Sequence, residues 1–235
     1  MNASASPPVL SIESPAVLLG AMRLASAALP IGAFAYSQGL EQAVAGGAVA
    51  DAAGAERWIV GLLERSMLTL DVPVLRRVFE CLERGDVAGA NAWNAFLYAS
   101  RGTRELREED RQLATSLYRL LESLGEPRAR ALRGSPRSTL PAAFALGACS
   151  FGLPVAAAAL AFGYSWCEAQ VGAATRLVPL GQTAAQGVLS SVQAALARGL
   201  PEALALPDVA LGATAPGQAV LSAEHETQYS RLFRS

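Results

Sequence analysis

The sequence contains no lysine, and all 19 of its basic residues are arginine. It has one histidine, His225, and three widely spaced cysteines, Cys81, Cys149 and Cys167. Each scarcity removes a class of chemistry. A P-loop needs its lysine to reach the terminal phosphates, so no such motif can form here. Schiff-base catalysis and lysine general bases are excluded with it. One histidine cannot build a multi-histidine zinc or nickel site, and a Ser/His/Asp triad would rest on a residue near the end of the sequence. Three separated cysteines suggest neither a disulfide framework nor a zinc site; reduced thiols in a cytoplasmic protein are expected. Charge is also thin, at 17% of residues with a net value of -1. That balance lacks the basic footprint of a nucleic-acid binder.

Hydrophobic residues make up 52% of the 235 positions, ample for a core and incompatible with intrinsic disorder. Alternating β-branched runs are missing while alanine, the best helix former, abounds. The period along the chain is helical. Asp51 can cap a helix through Met67, with Trp58, Ile59, Leu62, Leu63 and Met67 on one face. After Leu70 a second helix is predicted, with Pro73 in its first turn and Gly85 as its stop. Asp86 can cap a third through Leu97, and Thr103 the longest, whose stripe is Leu106, Leu113, Leu117, Leu120 and Leu124, ended by Gly125. Residues 126–137 read as a basic loop. The fold class is all-α, a single-domain bundle of roughly eight to ten helices that includes Ala-rich buried ones.

Between Arg137 and Glu168 there is no charge, a run long enough to span a bilayer. Pro141, Gly147, Gly152, Pro154 and Gly163 cut it, and Gly152-Leu-Pro154 looks like one helix stopping and another starting. Two buried helices are expected. The opening MNASASPPVLSIESP lacks the basic and apolar regions of a secretory signal, so a flexible tail over 1–15 and a cytoplasmic protein are expected. On the long helix Arg101/Glu105, Arg104/Glu108 and Arg107/Asp110 have ion-pair spacing and predict an exposed, salt-bridged face. Two rival readings stay open. A small helical enzyme or metal-binding protein would use Glu105, Glu108, Glu109 and Asp110, and an Ala-rich membrane-associated protein would use residues 140–167.

Three stretches resist a division into core and surface. In residues 24–44, Pro30 and Gly32 break a helix before Tyr36, Ser37, Gln38 and Glu41 crowd polar groups at the start of the next. In residues 170–189, Pro179 and Gly181 interrupt an apolar helix among Arg176, Gln182 and Gln186. Following a Pro/Gly-containing linker (207–222), residues 223–235 close with HETQYSRLFRS from 225 on. Its interleaved aromatics and arginines have the composition of a docking segment that orders on a partner.

The motifs LPIGAFAYSQGLE (29–41), RGTRELREEDRQ (101–112), AATRLVPLGQTAAQ (173–186) and ETQYSRLFRS (226–235) resemble, in order and spacing, those of the urease accessory protein UreF family. The resemblance covers nearly everything after residue 16. It departs at Arg176, where the family usually has lysine, and at Cys167-Glu-Ala-Gln170, where it has Leu-x-Asn-Gln. It implies a helical domain over 16–206, a homodimer, and a non-enzymatic scaffold joining UreD (UreH) to the GTPase UreG during nickel delivery to apo-urease. No cofactor of its own, no membrane and no nucleic acid are implied. The face toward UreG is carried to Tyr36, Ser37, Gln38, Glu41, Arg176, Pro179 and Gln182. Within it Glu41 and Arg176 are expected to favour one nucleotide state of the GTPase. The UreD contact is carried to Gln228, Tyr229, Arg231, Leu232, Phe233 and Arg234. So apolar a composition also predicts an exposed apolar patch that a second copy or UreD would cover.

Overall fold

The computed structural model describes residues 14–235, and most of the predicted tail 1–15 lies outside the described residues. Ser14 caps the first helix by accepting the Val17 amide, and Pro15 opens it. Along the chain follow α1 (Pro15–Ala25), α2 (Leu40–Ala45), α3 (Ala52–Leu62), α4 (Val72–Glu83), α5 (Val87–Ser100), α6 (Arg104–Ser123) and α7 (Arg128–Arg133). Then come α8 (Leu140–Ser150), α9 (Val155–Leu177), α10 (Gln182–Ala205) and α11 (Pro216–His225). No strand occurs among the described residues, so the protein is all-α.

The predicted caps form. Asp51, Asp86 and Thr103 each accept the amide three residues on, at 2.7, 2.8 and 3.3 Å. Gly85, Gly125 and Gly152 take the left-handed conformation that stops a helix, and Gly152 with Pro154 separates α8 from α9 as expected.

The predicted break after Leu70 does not occur. A π-helical segment, Leu63–Asp71, joins α3 to α4, so one continuous rod runs from Ala52 to Glu83. Pro73 lies inside it and has no N–H for the Thr69 carbonyl one turn back. Gly212 supplies the missing donor at 3.2 Å, and Thr214 donates to the Arg65 carbonyl at 2.8 Å. Buried Arg77 grips the same strap through Asp208 and the Leu206 carbonyl. Residues 206–214, all but the first of them predicted to belong to a linker, thus stand in for the helix partners that the proline and the π-turn give up. Helix α11 runs across the boundary drawn at 222/223.

Two other expectations need correction. Residues 126–137 are not simply a loop: α7 forms there, burying Ala129 and Leu132, with Glu126 paired to Arg128. On α6 the buried stripe is Leu113, Ala114, Leu117, Tyr118 and Leu121, while Leu124 is exposed. Leu124 lies past the last residue of α6 as its C-cap, beyond the face that packs on the core.

Helix α8, buried from Pro141 to Ala148, runs through the middle against α4 and α6. Helix α9 packs on α10 and α1. Small residues let these axes approach: Gly163 of α9 faces Leu196 of α10, and a Cβ there would stand 2.6 Å from the leucine methyl. Phe144 and Phe162 meet edge to face at 5.3 Å, filling the space between α8 and α9. Residues 140–167 are therefore core helices. No helix among the described residues is long and apolar enough to cross a membrane.

Candidate functional site: a docked tail and the surface beside it

The four motif stretches converge on one place. Residues 231–235 lie in a groove between the 35–41 segment and α6, held mostly through their backbone. Glu41 is the central grip: Oε1 accepts the Leu232 amide at 2.6 Å and Oε2 the Phe233 amide at 2.9 Å. The Arg234 amide donates to the Ala35 carbonyl, and the Ser235 carbonyl accepts from both the amide and hydroxyl of Ser37, at 2.9 and 2.6 Å. Phe233 is buried, with the Arg176 guanidinium stacked 4.4 Å from its ring centre. Such a cation–π contact contributes about 0.5–2 kcal/mol.

Sequence dictates this local shape. Pro30 and Gly32 prevent α1 from continuing; Gly32 (φ 82°), Gln38 (φ 55°) and Gly39 (φ 87°) then take left-handed conformations that fold 32–39 into a tight platform. Gly39 also has close neighbours, since a Cβ would stand 3.4 Å from the Ser222 nitrogen of α11. The motif's glycines thus serve both the turn and the approach of α11.

Beneath the tail a polar network runs inward. The Glu109 carboxylate accepts from Ser235 and Gln38, both at 2.7 Å, and Gln38 in turn accepts the Trp166 indole N–H at 2.9 Å. Burial pushes the Glu109 carboxyl up to about 7, its hydrogen bonds from Gln38 and Ser235 offsetting only part of the desolvation. The Tyr36 hydroxyl donates to Gln112 at 2.6 Å, and burial raises its pKa above the usual phenol value, making it a weaker acid. Next to Glu109, Asp110 binds Arg101 at 2.6 Å, and Arg101 also bridges to Asp71. Burial alone would lower the Arg101 guanidinium, but Asp110 and Asp71 together hold it above its ordinary value. On the other side of the groove, His225 is fully buried between Glu41 (3.1 Å) and Glu105 (2.7 Å), and Arg231 caps Glu105 at 2.7 Å.

The expected exposed ion-paired face of α6 is therefore wrong. Arg101/Glu105, Arg104/Glu108 and Arg107/Asp110 are not the pairs that form; Glu105, Glu109 and Asp110 turn toward the tail and the core, and Glu108 pairs with Arg111. The carboxylates of this cluster are divided among separate partners rather than converging on one point. Among the described residues no group of three or more His, Cys, Asp or Glu side chains could hold a metal ion.

The residues expected to meet two different partners are brought together by the structure. Tyr36, Ser37 and Glu41 are buried, and Ser37 and Glu41 are covered by the tail itself, so in this arrangement Glu41 is not free to reach an outside GTPase. Gln38 is half-buried. Arg176, Pro179 and Gln182 are exposed at the break between α9 and α10. Of the six tail residues expected to meet UreD, Tyr229 and Leu232 point to solvent, Arg231 and Arg234 are exposed, Gln228 is half-buried and Phe233 inserts, as does Ser235 beside it. Sequence reasoning missed Phe34, which is exposed beside Arg176 and whose carbonyl accepts from it at 2.5 Å. It also missed Glu105, Glu109 and Gln112 as the groove's far wall. Their spacing along one side of α6 was the available signal, hidden by equally good ion-pair spacing.

A sequence profile of the UreF family matches residues 49–193, more than half of the chain. The urease accessory protein UreF of Chromohalobacter salexigens is 44% identical, over 96% of this chain and 98% of that protein. UreF 2 of Brucella anthropi is 44% identical over 96% of this chain and all of its own length. UreF of Klebsiella pneumoniae is 42% identical over 91% and 96%. With that extent of likeness, the chain belongs to the UreF family of urease accessory proteins.

Proposed function

We propose that this protein is a non-catalytic scaffold in urease maturation, joining UreD (UreH) to the GTPase UreG and tuning GTP-dependent nickel delivery to apo-urease. Family membership supports the role in urease maturation. The observation that carries the finer reading is the convergence of all four motif stretches on one face. There the docked tail leaves Tyr229, Arg231, Leu232 and Arg234 outward while Phe233 anchors it. Aromatic and arginine side chains are the residue types that dominate protein interfaces, so this outer edge is assigned to UreD. Arg176, Pro179, Gln182 and Phe34 form the neighbouring exposed edge, assigned to UreG. Ser37, Glu41 and Tyr36 then serve both partners indirectly, by fixing the tail.

The chain carries no catalytic group in this reading, and nickel is cargo of the complex rather than a cofactor of this protein. The enzyme alternative is disfavoured by the hydrogen-bonding of Glu105, Glu109 and Asp110, each saturated by its own partners. A homodimer is supported by an exposed apolar groove between α1 and α9, walled by Leu18, Met22, Leu160 and Tyr164. The test is complementation of a ureolytic strain that lacks its own UreF. Nickel-loaded active urease is the expected outcome, with Phe233→Ala reducing it; apo-urease in the presence of this chain would overturn the assignment.

A further inference from the structure

Beneath the exposed edge that carries Phe34 and Arg176, a cavity of about 260 Å³ enters the protein between the 24–38 segment, α6, α8 and α9. Its walls are largely apolar: Leu24, Leu113, Phe144 and Phe162 are buried, and Ile31 is half-buried. Set among them is Gln170 of α9, only 2% exposed, whose Oε1 has no hydrogen-bond partner among the described residues. A buried acceptor left in this way loses its hydration without return. Neighbouring polar groups are already occupied. Tyr36 donates to Gln112, Gln38 joins Glu109 to Trp166, and Ser165 donates to the Phe162 carbonyl. Gln170 closes the Cys167-Glu-Ala-Gln170 stretch, for which the scaffold role has no use.

We propose that this cavity is a binding site for a small neutral molecule that carries a carboxamide head on an apolar ring. The inference concerns the chain by itself and does not depend on its partners. The head follows from Gln170: a carboxamide presents an acceptor beside donors, and a second amide matches both. The ring follows from the walls, where Phe144 and Phe162 already meet edge to face at 5.3 Å and a third ring can join them. Size follows from volume. A dry cavity of about 150 Å³ takes benzene, and the larger space here admits a ring with a short head. A charged head is disfavoured. Glu109 is bonded by Gln38 and Ser235, and Arg176 by the Phe34 carbonyl and the Phe233 ring. Burial also raises the Glu109 carboxyl to about 7, so this interior penalises charge. Glu168 stands half-buried in the lining and is the acid that a cationic head would meet.

The full-length protein tests this with benzamide as the probe. Ile31 lines the cavity, whereas Ile59 lies in α3 outside that lining. With the isoleucine methyls labelled, benzamide should shift the Ile31 resonance, leave Ile59 in place, and saturate at about 1 mM or below. Nuclear Overhauser contacts should join the probe's ring to the Phe144 and Phe162 rings. Ethylbenzene has the ring without the head and reports on the apolar walls alone. Gln170→Met keeps the side chain's length and removes the carboxamide, so the ratio of benzamide to ethylbenzene affinity should fall about tenfold or more. An unmoved Ile59 resonance verifies that the variant is folded. The absence of a saturable Ile31 shift in the parent, the outcome if the cavity takes water alone, would overturn the proposal. So would a bound probe with no contact to Phe144 or Phe162, or an affinity ratio that Gln170→Met leaves unchanged. Tighter binding of benzylamine than of benzamide would also overturn it, by marking a cation site at Glu168.

Discussion

Removing the Arg101 guanidinium should strongly destabilise this protein, and should do so less at low pH. Arg101 follows α5 and binds Asp71 at the end of the π-segment and Asp110 of α6 at 2.6 Å. The second oxygen of Asp110 accepts the Leu140 amide at the start of α8, at 3.0 Å. One buried cation thus ties four elements. Arg101→Ala leaves two buried carboxylates facing each other, at a cost of about 3–5 kcal/mol. A domain of this kind has about 5–15 kcal/mol in total. Even beside Arg101, burial holds the Asp110 carboxyl above the ordinary aspartate range. Without the arginine the Asp110 carboxyl binds its proton still more tightly folded than unfolded, so the loss shrinks as pH falls and grows as it rises. Urea unfolding followed by far-ultraviolet circular dichroism, at about pH 5 and about pH 8, measures it. Arg101→Met with Asp71→Asn and Asp110→Asn should recover most of the stability, since the cost lies in uncompensated charge. An Arg101→Ala variant within about 1 kcal/mol of the parent, or equally damaged at both pH values, would refute the reasoning.

Glu109 supplies a second pH test. Its carboxyl is raised from 4.5 to about 7, so the parent should lose stability across that interval, on the order of 3 kcal/mol, while Glu109→Gln does not. Parallel denaturation profiles for the two proteins would contradict it. At the contact of α9 and α10, Gly163→Ala should cost about 1–3 kcal/mol by forcing Leu196 aside, lowering the thermal midpoint. Gly187→Ala, exposed on α10 with open space around its Cβ, should instead raise it by up to about 1 kcal/mol. Opposite signs at the two glycines are required.

Helix boundaries were legible wherever a local group sets them. Asp51, Asp86, Thr103, Gly85 and the Gly152–Pro154 break act within a turn or two, and so can be read from spacing. The joint at 63–73 could not be read that way. Its proline is tolerated because Gly212 and Thr214 arrive from far along the chain to bond the freed carbonyls. The site divides along the same line. Composition marked residues 225–235 as a segment needing something to bind, and the motifs named most of the residues that hold it. What stayed hidden was that Glu41 and the tail satisfy one another. Nothing in a sequence distinguishes a carboxylate turned toward its helix neighbour from one turned toward a backbone 191 residues away. For Glu105 and Asp110 the two possibilities had equal spacing, and burial decided between them.

The central claim is that the docked tail and the α9–α10 break present adjacent but separable edges to two proteins. Co-production of the full chain with UreD and UreG, followed by light scattering on a sizing column, tests it. The parent should form a ternary complex. Tyr229→Ala with Leu232→Ala should lose UreD, whereas Arg176→Glu should keep UreD and lose UreG. Retention of the complete complex by both variants, or loss of both partners by each while the chain stays folded, would contradict the claim.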